Sequence, residues 1–151
     1  VSSPRPAAEP RRTAVLLLSS GLAAELLDHA RRELPNEACG LLSGSAADGV
    51  ARVYHPARNA HASPYRYTVD PEDLVRITFA IERAGEELIA IVHSHPATGA
   101  EPSATDRRSA QLYPGTPQLI VSLAGEISLH RRLRAWRIGS GSADELPLRI
   151  G

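Results

Sequence analysis

The feature that most constrains this chain is an apolar run, Leu88 to Val92, that leads straight into His93-Ser94-His95-Pro96. An unbroken aliphatic stretch predicts a central strand covered on both faces, because a strand with one wet face would alternate. Pro96 cannot donate to a ladder and ends the strand. Successive strand side chains point to opposite faces, so His93 and His95 share one face. The chain is thereby committed to helices packed on a sheet. Two imidazoles stand at the strand's carboxyl end, where open sheets commonly place ligand sites.

The remaining segments supply the layers. Thr13 to Leu18 reads as a short buried strand. Ser20 then caps a helix from about Leu22 to Glu33, with Leu22, Leu26, Leu27 and Ala30 on one face and Pro35 past its end. Ala38 to Leu42 is a strand ended by Ser43-Gly44. After a turn at Ser45 to Gly49, Val50 to His55 returns as its partner. Arg58 to Pro64 is a loop, and Tyr65, Tyr67 and Val69 alternate like a short strand. Asp70 caps a second helix with Pro71 in its first position and Glu72 and Asp73 at its positive end. Leu74, Ile77, Ile81 and Ala84 mark the buried face of that helix. Beyond the loop Ala97 to Pro102, Ser103 to Leu112 is a short helix and Gln118 to Leu123 an apolar strand. Ile127, Leu129, Leu133 and Trp136 suggest a solvent-facing strand pair across Glu126 to Ile138. Gly139 to Asp144 is a polar turn, and a last strand lies near Leu146 to Ile150.

No internal repeat and no linker divides the chain. The expected fold class is α/β, of the mixed α+β kind: a single mixed β-sheet flanked by two to three helices. Val1 to Pro10, rich in Pro, Ser and Ala, is expected to be a flexible tail, and residues 11–151 one domain. The chain's 151 residues are enough for a core without staples, and with aromatics at 4% that core must be aliphatic. The 17 basic and 17 acidic residues cancel, which argues against an electrostatic nucleic-acid partner. Every basic residue is Arg, a bias that fits a GC-rich genome. Cys39 is the single cysteine, so neither an internal disulfide nor a multi-cysteine zinc site can form, and a reducing cytoplasm is the expected compartment. Arg11-Arg12 before Ala14 to Leu18 looks superficially like an export signal. The apolar run stops at Ser19-Ser20-Gly21, short of the roughly 7–15 residues such a signal needs, and it reads as a strand. No segment approaches transmembrane length, so no membrane partner is expected.

Chemistry concentrates between His93 and Asp106. Gly99 lets the loop after Pro96 reverse, Pro102-Ser103 opens a helix, and Asp106 shares a helix face with Ser103. A His2Asp set suits zinc with a fourth position left open, the mark of a catalytic site. Each piece alone has an ordinary reading. His-x-His on a strand can be a hydrogen-bonded pair, Ser103-x-x-Asp106 a helix-capping box, and Glu37 a solvated carboxylate. Their joint occurrence, in this order and in strand–loop–helix context, favours the metal.

These residues resemble a known signature. His93-Ser94-His95-Pro96 followed by Ser103-Ala104-Thr105-Asp106, with Pro35-Asn36-Glu37-Ala38-Cys39-Gly40-Leu41-Leu42 upstream, looks like that of the JAMM (JAB or MPN-plus) metallopeptidases. The likeness extends through Asn59 to Tyr67 and into Gln118 to Ser122. The Glu37-Ala38-Cys39-Gly40-Leu41-Leu42 context resembles the bacterial Mec-type enzymes. The resemblance implies a JAB/MPN, cytidine-deaminase-like architecture and one zinc ion held by His93, His95 and Asp106. It further implies Glu37 as the general base that passes a proton to the leaving amine, and Ser103 as hydrogen-bond donor to the oxyanion. The implied partner is a small ubiquitin-like sulfur-carrier protein, from which cysteine is released or a tail trimmed to expose Gly-Gly. An extended tail could add along a sheet edge near Arg58 to Tyr67 and Ala97 to Pro102.

Three rival readings compete with this one. A nucleobase deaminase needs a Pro-Cys-x-x-Cys pair, which a chain with one cysteine lacks. A RadC-like protein shares part of the histidine–aspartate run, but the Glu37-Ala38-Cys39-Gly40 context speaks against it. A non-catalytic binding module for a ubiquitin-like protein would be expected to have lost a ligand. Cys39, inside an apolar strand, is expected to be a structural thiol, and His55, His61 and His130 surface or loop residues.

Overall fold

A computed structural model of the protein describes residues 14–139 and 141–151. The expected tail, the boundary at residue 11, the two arginines before the first strand and Thr13 lie outside the described residues. Among the described residues, eight strands form one mixed sheet: β1 (Leu16–Leu18), β2 (Cys39–Ser45), β3 (Val50–Ala57), β4 (Glu87–His95), β5 (Gln118–Ser122), β6 (Leu133–Gly139), β7 (Ser142–Leu146) and β8 (Leu148–Ile150). They lie in the order β7-β6-β5-β4-β2-β3-β1-β8. The pairs β4–β5, β1–β3 and β1–β8 are parallel and the others antiparallel. β7 and β8 stand at opposite ends of this order, yet Pro147 alone separates them in the chain. The sheet therefore curls until its two edges meet, with the Pro147 carbonyl accepting the Leu16 amide at 3.0 Å.

Helices pack on both faces. α1 (Ser20–Arg32) buries Leu22, Ala23, Leu26 and Ala30 against Leu16, Leu18, Leu42, Ala90, Val92, Leu119 and Val121. α2 (Pro71–Arg83) brings Ile77 and Ile81 onto Cys39, Leu41 and Ile91 on the other face. α3 (Ala104–Ser109), followed by a 3-10 turn at Ala110–Leu112, covers Ile120 and Trp136 through Ala110. β4 thus has Ala90 and Val92 toward α1 and Ile91 toward α2, and alternation carries His93 and His95 onto the α2 face. The central covered strand and the single mixed sheet agree with the sequence reading.

The departures have local causes. Ser19, one residue earlier than expected, caps α1 by accepting the Leu22 amide at 3.1 Å. β2 runs on through Ser43-Gly44 to Ser45, with an irregularity in its pairing there rather than an end. The expected strand at Tyr65 to Val69 shrinks to one bridge, Asn59↔Val69. The Asn59 side chain takes over its bonds, with Nδ2 donating to the Arg66 carbonyl and Oδ1 accepting the Thr68 and His61 amides. Tyr67 and Val69 point inward and Tyr65 outward, which breaks the alternation. Within Glu126 to Ile138 only β6 is a strand, and a single helical turn, α4 (Leu129–Arg132), precedes it. The polar segment read as a turn contains edge strand β7, whose Ser-Ala-Asp-Glu-Leu sequence gives no hydrophobic signal. Ala84 is exposed as the cap residue of α2.

Candidate metal centre

Four side chains that the sequence scatters over 70 positions meet at the carboxyl end of β4. One donor atom from each of Glu37, His93, His95 and Asp106 lies within 4.8 Å of all the others, and all four residues are buried. β4 supplies the two imidazoles. Glu37 comes from the segment just before β2, whose first residue Cys39 pairs with His93. Asp106 comes from the first turn of α3.

Each side chain is held by its own local structure. His95 Nδ1 lies 2.7 Å from the Gly99 carbonyl, an acceptor, so Nδ1 carries the proton and Nε2 presents a lone pair. That Nε2 is 2.9 Å from Asp106 Oδ2. The His93 ring is fully enclosed and stacks on Tyr67, centroids 4.5 Å apart and tilted by 17°. The Tyr67 hydroxyl donates to Gln118 Oε1 at 3.3 Å. His93 Nε2 lies 3.1 Å from Asp106 Oδ1, near enough for a hydrogen bond but not aligned as one. Ser103 and Asp106 form the capping box at the start of α3: Ser103 Oγ accepts the Asp106 amide at 3.0 Å, and the Ser103 amide donates to Asp106 Oδ2 at 2.9 Å. The cap leaves the Ser103 hydroxyl proton free to donate elsewhere, on a side chain open to solvent.

The loop from 97 to 102 is tied down at three successive carbonyls. Thr98 O accepts from Ser122 Oγ at 2.6 Å, Gly99 O from His95, and Ala100 O from Trp136 Nε1 at 2.8 Å. On the other side, the Glu37 amide donates to the Ser63 carbonyl at 2.8 Å, and Asn59 Nδ2 donates to the Glu37 carbonyl at 3.1 Å.

Burial pushes the Glu37 carboxyl up to about 8, with His95 pulling it down and Asp106 adding to the rise. Burial also acts to raise Asp106, but contacts from His93 and His95 and the Ser103 amide outweigh it and hold the carboxyl well below the usual range. Burial depresses His93 against the pull of Asp106. For His95 burial acts downward too, and there Asp106 and Gly99 prevail and raise it. The donor set fits a metal ion on this geometry. Two imidazoles and a carboxylate converge within hydrogen-bond distance of one another, and a cation set between them would satisfy all three. Glu37 Oε1 and both His93 nitrogens are buried with no hydrogen-bond partner, an expensive arrangement without such an ion.

The other residues singled out in the sequence fall elsewhere. Cys39 is buried, its thiol directed at the Arg58 carbonyl at 3.5 Å and pushed up to about 12 by burial, as a structural thiol should be. His55 is half-buried on β3 rather than a loop residue, with Nε2 2.8 Å from Ser43 Oγ. Ser43 in turn donates to Glu86 at 2.8 Å. The carboxylate therefore touches the serine and not the histidine, and Ser43 is fully enclosed, which rules out a nucleophilic triad. His61 bonds Thr68 at 2.8 Å and His130 is exposed. Sequence reasoning missed Tyr67, Asn59 and Ser94 as supports of the site. Ser94 carried a signal in its place between the histidines, and Asn59 and Tyr67 in lying at the ends of the segment to which the family likeness extends.

A mixed α+β domain with a buried His2Asp–Glu cluster at the end of its central strand fits the class of domains built around a metal site. Residues 19–139 match the family described as prokaryotic homologs of the JAB domain, and the chain belongs to that family. It is 38% identical over 120 residues to a desampylase of Haloferax volcanii, across 76% of this chain and 86% of that protein. It is 36% identical over 137 residues to the CysO-cysteine peptidase of Mycobacterium tuberculosis, across 90% of this chain and 91% of that one. The solution structure of a Desulfitobacterium hafniense protein, 33% identical, superposes with a TM-score of 0.80 over 91% of this chain and 92% of the other. Among the described residues no helix is long and apolar enough to cross a membrane.

Proposed function

We propose that this chain is a zinc-dependent peptidase that cleaves a peptide or isopeptide bond at the C-terminus of a small ubiquitin-like sulfur-carrier protein. The observation that carries the reading is the convergence of Glu37, His93, His95 and Asp106 within 4.8 Å, in a chain whose relatives are named desampylase and CysO-cysteine peptidase. His93, His95 and Asp106 would hold the ion. Zinc bound there would lower the pKa of an attacking water from about 15.7 toward 7 and polarise the scissile carbonyl.

The chain's own residues do the rest. The Gly99 carbonyl keeps the proton on His95 Nδ1 and so keeps Nε2 basic. A dication beside Glu37 favours its charged form against burial, leaving a carboxylate able to take the proton of the attacking water. The same carboxyl then delivers that proton to the leaving amine. The Ser103 hydroxyl, tethered by its cap bond to Asp106, donates to the oxygen on which charge develops. The loops 58–69 and 97–102 flank the cluster. An extended Gly-Gly tail laid along them would have almost no side chain to accommodate.

An intact-mass assay tests the proposal. Zinc-loaded protein is mixed with the host's Gly-Gly-ending carrier bearing a C-terminal extension or cysteine, with a chelator control and a Glu37→Gln control. Loss of the extension mass, blocked by chelator and absent with E37Q, is the expected result. An unchanged mass with demonstrably zinc-loaded protein would turn the reading toward a binding module.

A further inference from the structure

The segment that carries Glu37 is held from two sides. On the loop side, Ser63 and Asn59 take the amide and the carbonyl of Glu37 itself. On the strand side, the next residue is gripped by Ser94. The Ser94 amide donates to the Ala38 carbonyl at 3.0 Å, and the Ala38 amide donates to Ser94 Oγ at 2.7 Å. In a regular antiparallel pair both bonds would run between main-chain groups. Here the serine hydroxyl stands in for the serine carbonyl, and β2 leaves its ladder with β4 at this point, Cys39↔His93 being the last registered pair. Ser94 is 1% exposed and lies between the two histidines of the cluster.

We propose that Ser94 is a positioning residue for the reaction. By accepting the Ala38 amide, its hydroxyl sets where the Glu37 carboxylate stands relative to His93 and His95. The inference rests on the reading of Glu37 as the base. A hydroxyl reaches out from Cβ, so an amide bonded to it sits off the line that a carbonyl acceptor would impose. The main chain at Ala38, and with it the backbone of Glu37 next to it, is held at that offset position. The neighbours of Ser94 on its own strand face, Val92 and Ala90, are apolar and offer no acceptor. Without the hydroxyl, the Ala38 amide is buried with nothing to accept it, and the segment relaxes toward another partner. Reacting groups misplaced by about 1 Å lose on the order of 10²-fold in rate, so a fraction of that displacement is enough to register.

The test compares Ser94→Ala, Ser94→Cys and Ser94→Thr with the parent as full chains loaded with zinc. The substrate is the Gly-Gly-ending carrier with a C-terminal cysteine. Expected for S94A is a fall in kcat of roughly 10- to 100-fold with KM within about twofold, since the lost interaction serves the transition state and not binding. Zinc content by native mass spectrometry should stay at one ion per chain, and hydrogen exchange at the Ala38 amide should speed up. S94T, which keeps the hydroxyl, should restore both kcat and the slow exchange. S94C, near-isosteric but a weak acceptor, should fall between and serves if S94A does not fold. Parent-like kcat in S94A or S94C with faster Ala38 exchange would overturn the proposal. So would loss of zinc, because the hydroxyl would then be supporting the ligands and not the base. E37Q runs in parallel: if it turns over at the parent rate, the base assignment itself has failed. If E37Q is inactive and S94A is not, only the role of Ser94 has.

Discussion

Replacing Glu37 by Gln is expected to stabilise the metal-free protein while abolishing its turnover. Glu37 is 2% exposed, its Oε1 lacks a hydrogen-bond partner, and burial lifts its carboxyl from 4.5 to about 8. The folded state thus keeps a proton that the unfolded state gives up across this window. Folding stability therefore declines as pH rises from about 4.5 to about 8 and levels off above it. At pH 7 most of the window has been crossed, and at 1.36 kcal/mol per pH unit the penalty is about 3 kcal/mol. Gln carries no charge at any pH and escapes it. A domain of this size moves by about 2–4 °C per kcal/mol, so the melting temperature should rise by roughly 6–12 °C at pH 7 and by little at pH 4.5. The assay is thermal unfolding of chelator-treated parent and variant across that range. The pH dependence of the difference is the sharper readout, because any packing penalty of the amide is the same at every pH. With zinc restored, the ion compensates the carboxylate and the gain should shrink. A variant no more stable than the parent at pH 7, or a difference that ignores pH, would refute the account of Glu37 as a carboxylate waiting for a cation.

Further outcomes follow from neighbouring contacts. A strong chelator should remove activity and added zinc restore it, while circular dichroism stays native, because the aliphatic core does not depend on the ion. Gly40→Ala should destabilise by about 1–3 kcal/mol in urea titrations, since a Cβ there would stand 2.6 Å from the His55 carbonyl oxygen and from the Tyr54 ring. Trp136→Phe removes the donor to the Ala100 carbonyl at a cost of about 1 kcal/mol and should speed proteolytic nicking within residues 97–102.

The cluster was legible because its parts obey short-range rules. A period-two strand puts His93 beside His95, and a capping box brings Asp106 onto Ser103, so both survive any long-range arrangement. Glu37 was reachable only through the family resemblance. Its 56-residue distance from His93 is closed by the β2–β4 register, which no local pattern encodes. The same holds for Tyr67. Its spacing from Tyr65 and Val69 suggested a short strand, but the stack on His93 that encloses it is a contact between distant segments. The misread segments failed in the opposite sense. At Leu129 to Arg132 apolar spacing suggested a strand where a single helical turn forms, and at Ser142 to Leu146 a polar edge strand gave no pattern to read. Neither segment contributes to the cluster. The reading was sound where covalent spacing fixes geometry and failed where packing at the sheet's closing edge does. The histidine–aspartate half of the cluster is built from the first kind of constraint. The position of Glu37 depends on the second, and it is there that Asn59, Ser63 and Ser94 had to be found in the structure.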